Sequence, residues 1–552
     1  MSHLLHVEGL STYLQSGGGT VKAVDGVSFS IKKGQTFCLV GESGSGKSVT
    51  ALSVIQLLPK DISSHPGGVI HFDYRHDSGE NEMVDMLNLA DDRKRSIRGS
   101  RIAMIFQEPM TSLNPVFTIG DQIVEALQLH DPALSYAAAK QKAIDALNQV
   151  QIPNAEERID EYPHRLSGGQ RQRVMIAMAM ACEPDLLIAD EPTTALDVTV
   201  QAEILRLMKE LQERNGMSIL FITHDFGVVS QMAHHLAVMQ LGKIVESGDV
   251  KTVMNNPQHD YTKELLAALP ENLSRTRPKA KVKINTDASP LIDLKGLQVY
   301  FPIKKGIFRH TADYVRAVDG VDLEIPKGQI LALVGESGCG KSTLGRAILR
   351  LIEPTKGSVS FAGRDITKLS RHEMRPLRNQ MQVIFQDPMS SLNPRLTIVD
   401  TLTEPMKVHG IGESKEERLE LARAVMERVQ LDPDYVWRYP HEFSGGQRQR
   451  IGIARALALN PSFIVCDEVT SALDVSVQAE ILQILLELRA ERDLTLLFIT
   501  HNIGVVEYIA DEMAVMYNGK IVERGLTHQV CGQPQNDYTQ KLLAAVPRVQ
   551  FG

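Results

Sequence analysis

The chain contains one set of short motifs twice, in the same order. The first copy consists of GESGSGKS at 41–48, FQEPMTSLNP from Phe106, LSGGQRQR from Leu166, LLIADEPTTALD from Leu186 and FITHD from Phe221. The second consists of GESGCGKS at 335–342, FQDPMSSLNP from Phe385, FSGGQRQR from Phe443, FIVCDEVTSALD from Phe463 and FITHN from Phe498. A motif set repeated in a fixed order predicts two units with the same fold, and therefore two equivalent sites.

The spacing of the two copies differs in one place. From Ser167 and Ser444 onward the copies stay 277 residues apart, whereas Lys47 and Lys341 lie 294 apart. The first copy has 15 more residues between its glycine-rich loop and its FQ pair, in the polar stretch HFDYRHDSGENE from His71. A polar insertion of this kind predicts a longer surface hairpin or loop.

Length and composition are those of two ordinary globular domains. A chain of 552 residues is too long for a single hydrophobic core. Its 59 basic and 67 acidic residues give a net charge of −8, which argues against a protein built mainly to coat nucleic acid. The 5 cysteines form no CxxC pair, so neither a disulfide framework nor a zinc or iron–sulfur site is expected.

Nothing in the sequence indicates a spanning or exported segment. No apolar stretch approaches the ~20 residues that a membrane-spanning helix needs. The start, MSHLLHVEGL, lacks a basic region followed by an apolar run. We therefore expect a cytosolic chain, with any membrane role supplied through a partner.

Short apolar runs predict an α/β fold with a mostly parallel core sheet in each half. FCLV and LALV lead into the glycine-rich loops, and LLIAD, FIVCD, SILFIT and LLFIT follow later. Such runs are typical of parallel strands buried on both faces. Helix-rich segments between the FQ and SGGQ motifs predict a separate helical lobe. The polar, proline-punctuated stretch from Pro270 predicts a linker at 273–290 between domains at 1–272 and 291–552.

Each glycine-rich loop has the pattern of a phosphate-binding loop between a strand and a helix. Backbone N–H groups without shielding side chains can surround phosphates, and the helix N-terminus adds a favourable field. Lys47 and Lys341 are predicted to reach the β- and γ-phosphates of ATP, and the hydroxyls of Ser48 and Ser342 to bind Mg²⁺. The other predicted nucleotide contacts in the loops are Gly41, Glu42, Ser43, Gly44, Ser45, Gly46, Gly335, Glu336, Ser337, Gly338, Cys339 and Gly340.

A carboxylate pair follows one apolar strand in each half. Asp190 and Asp467 end the strands, where a carboxylate can hold the Mg²⁺ shell. Glu191 and Glu468 come next and are predicted to orient or deprotonate the attacking water. A DE pair after a strand is usually an ordinary loop start. Its position before an ALD turn and upstream of a strand that ends in Thr-His favours the catalytic interpretation.

Histidine and glutamine side chains complete each predicted site. His224 and His501 are predicted to contact the γ-phosphate. Gln107 and Gln386 are predicted to complete the Mg²⁺ and water environment and to sense a partner. A lone histidine is more often structural, and a single glutamine would carry no inference, so the interpretation depends on their recurrence in both copies.

The SGGQ motifs offer a second hydroxyl and N–H cluster before a helix in each half. Its members are Ser167, Gly168, Gly169, Ser444, Gly445 and Gly446. Because each half already has a phosphate loop, we predict that each SGGQ motif serves the ATP bound by the other half.

Together these motifs resemble the ATP-binding cassette (ABC) ATPases, and the resemblance covers almost the whole chain outside the linker. It implies two tandem P-loop cassettes, each with an antiparallel β subdomain and a helical subdomain beside the core sheet. It also implies that the halves pair head to tail, with Lys47 and Ser444 at one site and Lys341 and Ser167 at the other.

The resemblance implies further site residues. Asp197 and Asp474 would be D-loop residues that communicate between the sites. The adenine would stack on an aromatic residue near the first strand of each half. The candidates are Phe301 or Tyr300 in the second half, and Tyr13 or Leu14 in the first.

Longer sequence segments around these motifs resemble those of the importer ATPases for dipeptides, oligopeptides, nickel and glutathione. The shared text includes YPHRLSGGQRQR and YPHEFSGGQRQR, and the tails PQHDYTKELLAALP from Pro257 and PQNDYTQKLLAAVP from Pro534. Two cassettes in one chain are most similar to the glutathione-importer and microcin C-importer subunits. The cysteine cluster that many separate peptide-importer ATPases carry after the tail is missing here, so no iron–sulfur site is expected.

The resemblance implies a peripheral ATPase on the cytoplasmic face of the inner membrane. Its partners would be two membrane-spanning permease subunits, contacted through 107–115 and 386–394, and a periplasmic solute-binding protein. No nucleic acid and no obligatory homodimer are expected. The alternative is a soluble tandem-cassette ATPase acting on ribosomes, which typically has a long charged helical arm between its cassettes. A DNA-repair ATPase and a non-hydrolysing regulatory module fit less well, because zinc cysteines and long coiled coils are missing and both glutamates are present.

Overall fold

The computed structural model describes residues 3–16, 18–76, 79–107, 112–194, 196–276, 289–305, 310–471 and 473–549. The chain divides into two compact units. Unit 1 comprises Met1–Leu196, Val200–Leu266 and Pro547–Gly552, and unit 2 comprises Asp197–Thr199 and Ala267–Val546. Most of the predicted linker, 277–288, lies outside the described residues, so the predicted domain boundaries stay a prediction.

Unit 1 contains two sheets. Its strands are β1 (His3–Ser16), β2 (Gly19–Lys32), β3 (Thr36–Val40), β4 (Ser63–Arg75), β5 (Asn81–Asp85), β6 (Ile102–Ile105), β7 (Leu186–Asp190), β8 (Ser218–Ile222), β9 (His235–Gln240) and β10 (Lys243–Asp249). The core sheet has the order β10-β9-β3-β8-β7-β6 and is parallel except for the β9–β10 hairpin. The second sheet, β2-β1-β4-β5, is antiparallel.

The helices of the first half follow the predicted pattern. They are α1 (Lys47–Ile55), α2 (Asp91–Ile97), α3 (Ile119–His130), α4 (Tyr136–Gln149), α5 (Ala155–Arg158), α6 (Gly168–Met180), α7 (Val198–Asn215), α8 (Phe226–Met232), α9 (Val250–Asn255) and α10 (Asp260–Ala267). Helices α3 to α5 lie between the FQ and SGGQ motifs, where the helical lobe was predicted, and α6 begins within the SGGQ motif.

Unit 2 repeats this architecture. Its strands are β11 (Pro290–Lys305), β12 (His310–Pro326), β13 (Ile330–Val334), β14 (Lys356–Phe361), β15 (Arg364–Asp365), β16 (Met381–Ile384), β17 (Phe463–Asp467), β18 (Thr495–Ile499), β19 (Glu512–Tyr517) and β20 (Lys520–Leu526). The sheet orders are β16-β17-β18-β13-β19-β20 and β12-β11-β14-β15.

The helices from Pro270 onward belong to unit 2. They are α11 (Pro270–Thr276), α12 (Lys341–Ile348), α13 (Arg371–Met374), α14 (Pro388–Ser391), α15 (Ile398–His409), α16 (Lys415–Arg428), α17 (Gly445–Leu457), α18 (Val475–Arg492), α19 (Ile503–Ile509), α20 (Thr527–Gly532) and α21 (Asp537–Ala544). The predicted fold class, two α/β cassettes with parallel core sheets, antiparallel sheets and helical lobes, is confirmed.

The central strands place the motif residues at one edge of each sheet. Strands β3, β7 and β8 are buried along their whole length, as apolar parallel strands covered by helices must be. The register pairs Asp190 with Ile222 and Leu39 with Ile222, so the carboxyl ends of the three strands coincide. The phosphate loop, the Asp-Glu pair and the Thr-His segment therefore leave the sheet side by side.

The predicted insertion forms a hairpin. Strands β4 and β5 pair from His71 with Asp85 to Arg75 with Asn81, whereas only two residue pairs join β14 to β15. The extra residues of the first copy thus lengthen an existing strand pair and leave the core sheet unchanged. Within the described part of the chain, no helix combines the length and apolar character that crossing a bilayer requires.

Candidate functional site

The phosphate loops begin where β3 and β13 end. The residue before α1, Gly46, has φ +102°, and its counterpart Gly340 has φ +109°. A Cβ at Gly46 would lie 2.3 Å from the carbonyl oxygen of Ala23. Only glycine can therefore close the loop onto its helix at this position.

The loop lysines are buried and are held by the loop itself. Lys47 Nζ donates to the carbonyl oxygens of Gly41 at 2.7 Å and Glu42 at 2.8 Å. Lys341 Nζ makes the same bonds to Gly335 and Glu336 at 2.7 and 2.9 Å. The ammonium groups are thereby fixed at the centre of each loop, where phosphates would be received.

A serine and an aspartate meet beside each lysine. Ser48 Oγ donates to Asp190 Oδ1 at 3.0 Å, and Ser342 Oγ donates to Asp467 Oδ1 at 2.7 Å. Burial raises the pKa of Asp190 and of Asp467 and outweighs the lowering effect of the serine hydrogen bonds and the nearby cations. A hydroxyl and a carboxylate oxygen at this spacing suit Mg²⁺, which takes one or two protein oxygens and completes its shell with phosphates and water. The described residues contain no cluster of three or more His, Cys, Asp or Glu that could hold a metal without such phosphates.

The glutamates leave the strands in a left-handed conformation. φ is +47° at Glu191 and +49° at Glu468, a region that residues other than glycine seldom adopt. The N–H of Glu191 donates to Ile222 O at 2.9 Å, and that of Glu468 donates to Ile499 O at 2.9 Å. This bend turns each carboxylate toward the histidine and glutamine predicted from the motifs.

The glutamine and histidine side chains converge on each glutamate. Gln107 Nε2 donates to Glu191 Oε2 at 2.9 Å, and His224 Nδ1 lies 3.0 Å from Glu191 Oε1. In unit 2, Gln386 Nε2 donates to Glu468 Oε2 at 2.7 Å, and His501 Nδ1 lies 3.6 Å from Glu468 Oε1. Both units therefore bring together the three side-chain types that the motifs singled out.

The charge states of these groups depend on one another. Burial would raise the pKa of Glu191, but the hydrogen bond and charge of His224 outweigh it and lower the pKa. Burial would likewise lower the pKa of His224, but Glu191 raises it above its ordinary value. The neighbouring His501 lowers the pKa of Glu468 against the effect of burial. Each glutamate is thus ionised at neutral pH and able to accept a proton or orient a water.

The SGGQ serines cap the helices that follow them. Ser167 Oγ accepts from Gln170 N, and Gln170 Oε1 accepts from Ser167 N, which is a capping box. Ser444 and Gln447 repeat this arrangement in unit 2.

The two glycines of each SGGQ motif have different surroundings. A Cβ at Gly169 would lie 2.6 Å from Val200 Cγ1, and one at Gly446 would lie 2.5 Å from Val477 Cγ1. A Cβ at Gly168 or Gly445 would meet no atom of the described residues within 4 Å. The second glycine is required by packing, whereas no described neighbour requires the first.

The D-loop aspartates have separate environments. Asp197 belongs to unit 2, where its Oδ1 accepts from the backbone N–H of Ser337 in the phosphate loop. Thr199, in the same unit, donates from Oγ1 to Glu336 Oε1 at 2.6 Å. Asp474 is the N-cap residue of α18.

The aromatic residues predicted to stack on the adenine differ in their exposure and in their contacts with other side chains. Phe301 on β11 is exposed. The Tyr300 hydroxyl donates to Asp319, and its ring lies 5.6 Å from the Arg316 guanidinium, so Tyr300 is already engaged. In unit 1, Lys22 lies over the Tyr13 ring at 5.5 Å. Of the two candidates in the second half, Phe301 is the exposed one.

Two kinds of contact at the site were not predicted from the sequence. Thr194 Oγ1 donates to Glu191 Oε2 at 2.9 Å. The hydroxyls of Tyr261 and Tyr538 touch the phosphate loops at Glu42 and Glu336. The repetition of the DYT text at the constant spacing of the two copies was the available signal for the tyrosines.

The predicted permease-contact segments are partly described. Residues 108–111 of the first segment lie outside the described residues. The second segment contains α14, and a groove of about 400 Å³ lies beside it. This groove is bounded by Ser391, Asn393 and the α15 residues Glu404 and Val408.

Comparison with known proteins gives two family matches. The profile described as "ABC transporter" matches residues 24–194 and 318–471. The profile described as "Oligopeptide/dipeptide transporter, C-terminal region" matches residues 245–292 and 522–552. Each profile therefore matches the chain twice, once in each half.

Similar curated proteins span the whole chain. The peptidoglycan transport ATP-binding protein YejF of Agrobacterium fabrum is 51% identical over 549 residues, covering 99% of this chain and 97% of that protein. The glutathione import ATP-binding protein GsiA of Salmonella typhimurium is 46% identical over 563 residues, covering 99% and 89%. Among solved structures, the post-hydrolysis dimer of the ATP-binding cassette MJ0796 with ADP and Pi is 26% identical, with a TM-score of 0.39 over 45% of this chain and 98% of that one.

Proposed function

The chain belongs to the ABC transporter family and hydrolyses ATP, and from this premise we propose that it is the ATPase subunit of a membrane importer for peptides or peptide-like solutes. The observation that carries the proposal is the oligopeptide/dipeptide transporter region, which matches after the cassette in both halves. The similarity to proteins named for peptidoglycan transport and glutathione import supports it. No finding favours the ribosome-acting alternative.

We assign the chemistry of each site to the side chains that converge there. Ser48 and Asp190 in the first half, and Ser342 and Asp467 in the second, would hold Mg²⁺ together with the glutamine amide oxygens. Mg²⁺ bound there would neutralise charge on the β- and γ-phosphates. The lysine ammonium adds a fixed positive charge. The ionised glutamate orients and deprotonates water for in-line attack, with the neighbouring histidine as its hydrogen-bond partner.

We further propose that the halves work as a head-to-tail pair, as the family resemblance implies. Ser444 would complete the site of Lys47, and Ser167 that of Lys341. The open space at Gly168 and Gly445 supports this, because a helix N-terminus that no described residue covers can receive phosphate. Binding of two ATP molecules would hold the halves together, and hydrolysis would release them.

The proposed partners are two permease subunits and a periplasmic solute-binding protein, with this chain peripheral at the cytoplasmic face of the inner membrane. The groove beside α14 is the candidate contact for a permease helix in the second half. It adjoins the segment that follows Gln386, whose side chain bonds the catalytic glutamate. A partner bound in this groove would therefore be connected to the hydrolysis site by the short segment that follows Gln386.

The test is to isolate this chain from its own detergent-solubilised membranes and identify the co-purifying proteins by mass spectrometry. The proposal predicts two multi-span permease subunits, and ATPase activity that rises when the solute-loaded binding protein is added. Recovery in the soluble fraction with ribosomal proteins would contradict it. Loading the binding protein with glutathione, dipeptides or muropeptides in parallel would identify the solute.

A further inference from the structure

In each unit a tyrosine from the C-terminal tail touches the start of the phosphate loop. In unit 1, the Tyr261 hydroxyl accepts from the backbone N–H of Glu42 at 3.3 Å and lies 3.3 Å from Glu42 Oε2, to which it donates. In unit 2, the Tyr538 hydroxyl accepts from the N–H of Glu336 at 3.1 Å. The tail is otherwise remote in sequence from the loop, so the contact is a specific tertiary feature present in both copies.

The tail is fixed to the edge hairpin just before the tyrosine. In unit 1, the Glu246 carboxylate on β10 accepts from the N–H groups of Gln258 and His259 at 2.7 and 3.1 Å. Charge-assisted bonds of this kind are stronger than neutral ones. They place the start of α10, and with it Tyr261, at a set distance from the sheet.

Unit 2 repeats this anchor, with Asn536 in place of His259. The Glu523 carboxylate on β20 accepts from the N–H groups of Gln535 and Asn536 at 2.7 and 3.0 Å. The Tyr538 ring also packs on Tyr517, with ring centroids 4.2 Å apart. The hydroxyl is therefore directed at the loop by both a polar anchor and an aromatic contact.

The tyrosine and the loop lysine bind opposite sides of one peptide unit. In unit 1, the peptide between Gly41 and Glu42 donates its N–H to Tyr261, while its carbonyl oxygen accepts from Lys47 Nζ at 2.7 Å. In unit 2, the peptide between Gly335 and Glu336 donates to Tyr538, and its carbonyl accepts from Lys341 at 2.7 Å. The orientation of this peptide thus sets where the lysine ammonium lies.

We propose that Tyr261 and Tyr538 are positioning residues for ATP binding: each hydroxyl holds the first peptide of its phosphate loop in the orientation that aligns the loop lysine. This inference rests on the proposed assignment of 41–48 and 335–342 as the nucleotide-binding loops. It gives the tail matched by the oligopeptide/dipeptide profile a role at the nucleotide site itself. The pKa of Tyr538 is raised to about 12, mainly by burial, so its hydroxyl remains a neutral hydrogen-bonding group throughout the physiological range.

The test compares Tyr261→Phe and Tyr538→Phe with the wild-type full-length chain in steady-state ATP hydrolysis. Phenylalanine keeps the ring packing and removes only the hydroxyl. We expect the KM for ATP to rise roughly 2- to 10-fold for each variant, the range that one hydrogen bond contributes. The kcat at saturating ATP should stay within about 2-fold, because the glutamate, histidine and glutamine are untouched.

Two controls separate this role from general stability and from failure of the site assignment. Tyr508→Phe removes another buried hydroxyl bond in unit 2, to Gln483 at 3.2 Å, and should lower the Tm without changing the KM. Lys341→Ala should sharply weaken ATP binding in the second half. If Lys341→Ala weakens binding but the tyrosine variants lower only the Tm, the positioning role is refuted. If Lys341→Ala binds ATP like the wild type, the loop assignment itself fails, and the inference with it.

Discussion

The glutamate that follows the Asp-ending strand in each unit has a strained backbone. A left-handed conformation at a residue other than glycine costs on the order of 1–3 kcal/mol and persists only when its surroundings enforce it. At Glu191 the enforcing contacts are a backbone bond to Ile222 and side-chain bonds from Gln107 and Thr194. The left-handed bend brings the Glu191 carboxylate to Gln107, Thr194 and His224.

One position beside the start of the central strand differs in charge between the two units. In unit 2, Arg489 pairs with Asp511 through bonds of 2.7 and 3.1 Å, and Asp511 also accepts from the N–H of Ile330. In unit 1 the corresponding acceptor is His234, which accepts from the N–H of Thr36 at 3.0 Å. The same strand start is therefore held by an ion pair in one unit and by a neutral ring in the other.

This difference predicts unequal costs for the same kind of substitution. Asp511→Ala leaves the Arg489 guanidinium buried without its carboxylate and should destabilise unit 2 by about 3–5 kcal/mol. His234→Ala removes a single neutral bond and should cost about 1–2 kcal/mol. Calorimetric unfolding of both variants measures the two losses. Equal losses would mean that Arg489 is solvated or finds another partner when Asp511 is removed.

At the scale of elements, the SGGQ helices show how one motif serves packing and chemistry at adjacent residues. Serine and glutamine close the capping box of α6 and of α17, which satisfies N–H groups at the helix start. The second glycine packs on a valine of the following long helix. No atom of the described residues lies within 4 Å of a Cβ built at the first glycine, so packing does not explain its small size.

The adjacent glycines of α17 should therefore respond differently to alanine. Gly446→Ala places a methyl group 2.5 Å from Val477 Cγ1 and should cost about 1–3 kcal/mol through overpacking. Gly445→Ala should change stability by less than about 1 kcal/mol. It should nevertheless lower ATP turnover by about tenfold or more, because its methyl group occupies the space where phosphate would meet the helix N-terminus.

Thermal melting and phosphate release of the two variants provide the measurement. The matched substitutions at Gly168 and Gly169 repeat the comparison in unit 1, where Val200 takes the place of Val477. Full turnover by the stable Gly445→Ala variant would show that the open face of the helix is not used.

The elements could be predicted from the sequence where burial alone determines them. FCLV and LLIAD are short continuous apolar runs, and such a run is typical of a strand that is covered on both faces. The polar insertion after His71 was predicted as a hairpin or loop for the converse reason, and the structure has it in the β4–β5 pair. The capping boxes could have been read from the Ser-to-Gln spacing, but the motif was interpreted only as a phosphate contact.

The site was predictable as a set of residue types but not as a geometry. Repetition identified Gln107, Glu191 and His224 as a group, and the structure places them within hydrogen-bonding distance. The left-handed backbone conformation of Glu191 and the contact of Tyr261 with the phosphate loop depend on tertiary contacts between segments far apart in sequence. A local sequence pattern does not indicate contacts between distant segments. For this reason Tyr261 was identified from the sequence only as part of a tail motif.

At the scale of the whole molecule, the two units differ in how many histidines have a lowered pKa. Burial lowers the pKa of His65, His130 and His234, all in the first half. In unit 2, among the described residues, burial gives one such shift, at His409. A histidine whose folded pKa lies below its unfolded value must take up a proton on unfolding, so it stabilises the fold above pH 6.5 and loses this contribution as the pH falls through the unfolded and then the folded pKa.

Acidification should therefore affect the first half more than the second, because three lowered histidine pKa values outnumber the one raised value, that of His224. Between pH 7.5 and 5.5 the calorimetric transition of unit 1 should move to lower temperature by more than that of unit 2. A variant with His65, His130 and His234 replaced by glutamine should reduce the difference. Equal shifts of both transitions would show that carboxylates dominate the acid response.

The account as a whole requires two catalytic glutamates in one chain. The direct test is steady phosphate release by the Glu191→Gln, Glu468→Gln double variant, with the two single variants beside it. The matched control is Glu210→Gln with Glu487→Gln, which changes two exposed glutamates on the long helices α7 and α18. We predict that the control keeps normal turnover, whereas the catalytic double variant retains bound ATP and loses turnover by at least about 100-fold, as expected when a general base is removed. Phosphate release by the catalytic double variant within about tenfold of the wild type would contradict the assignment of both sites.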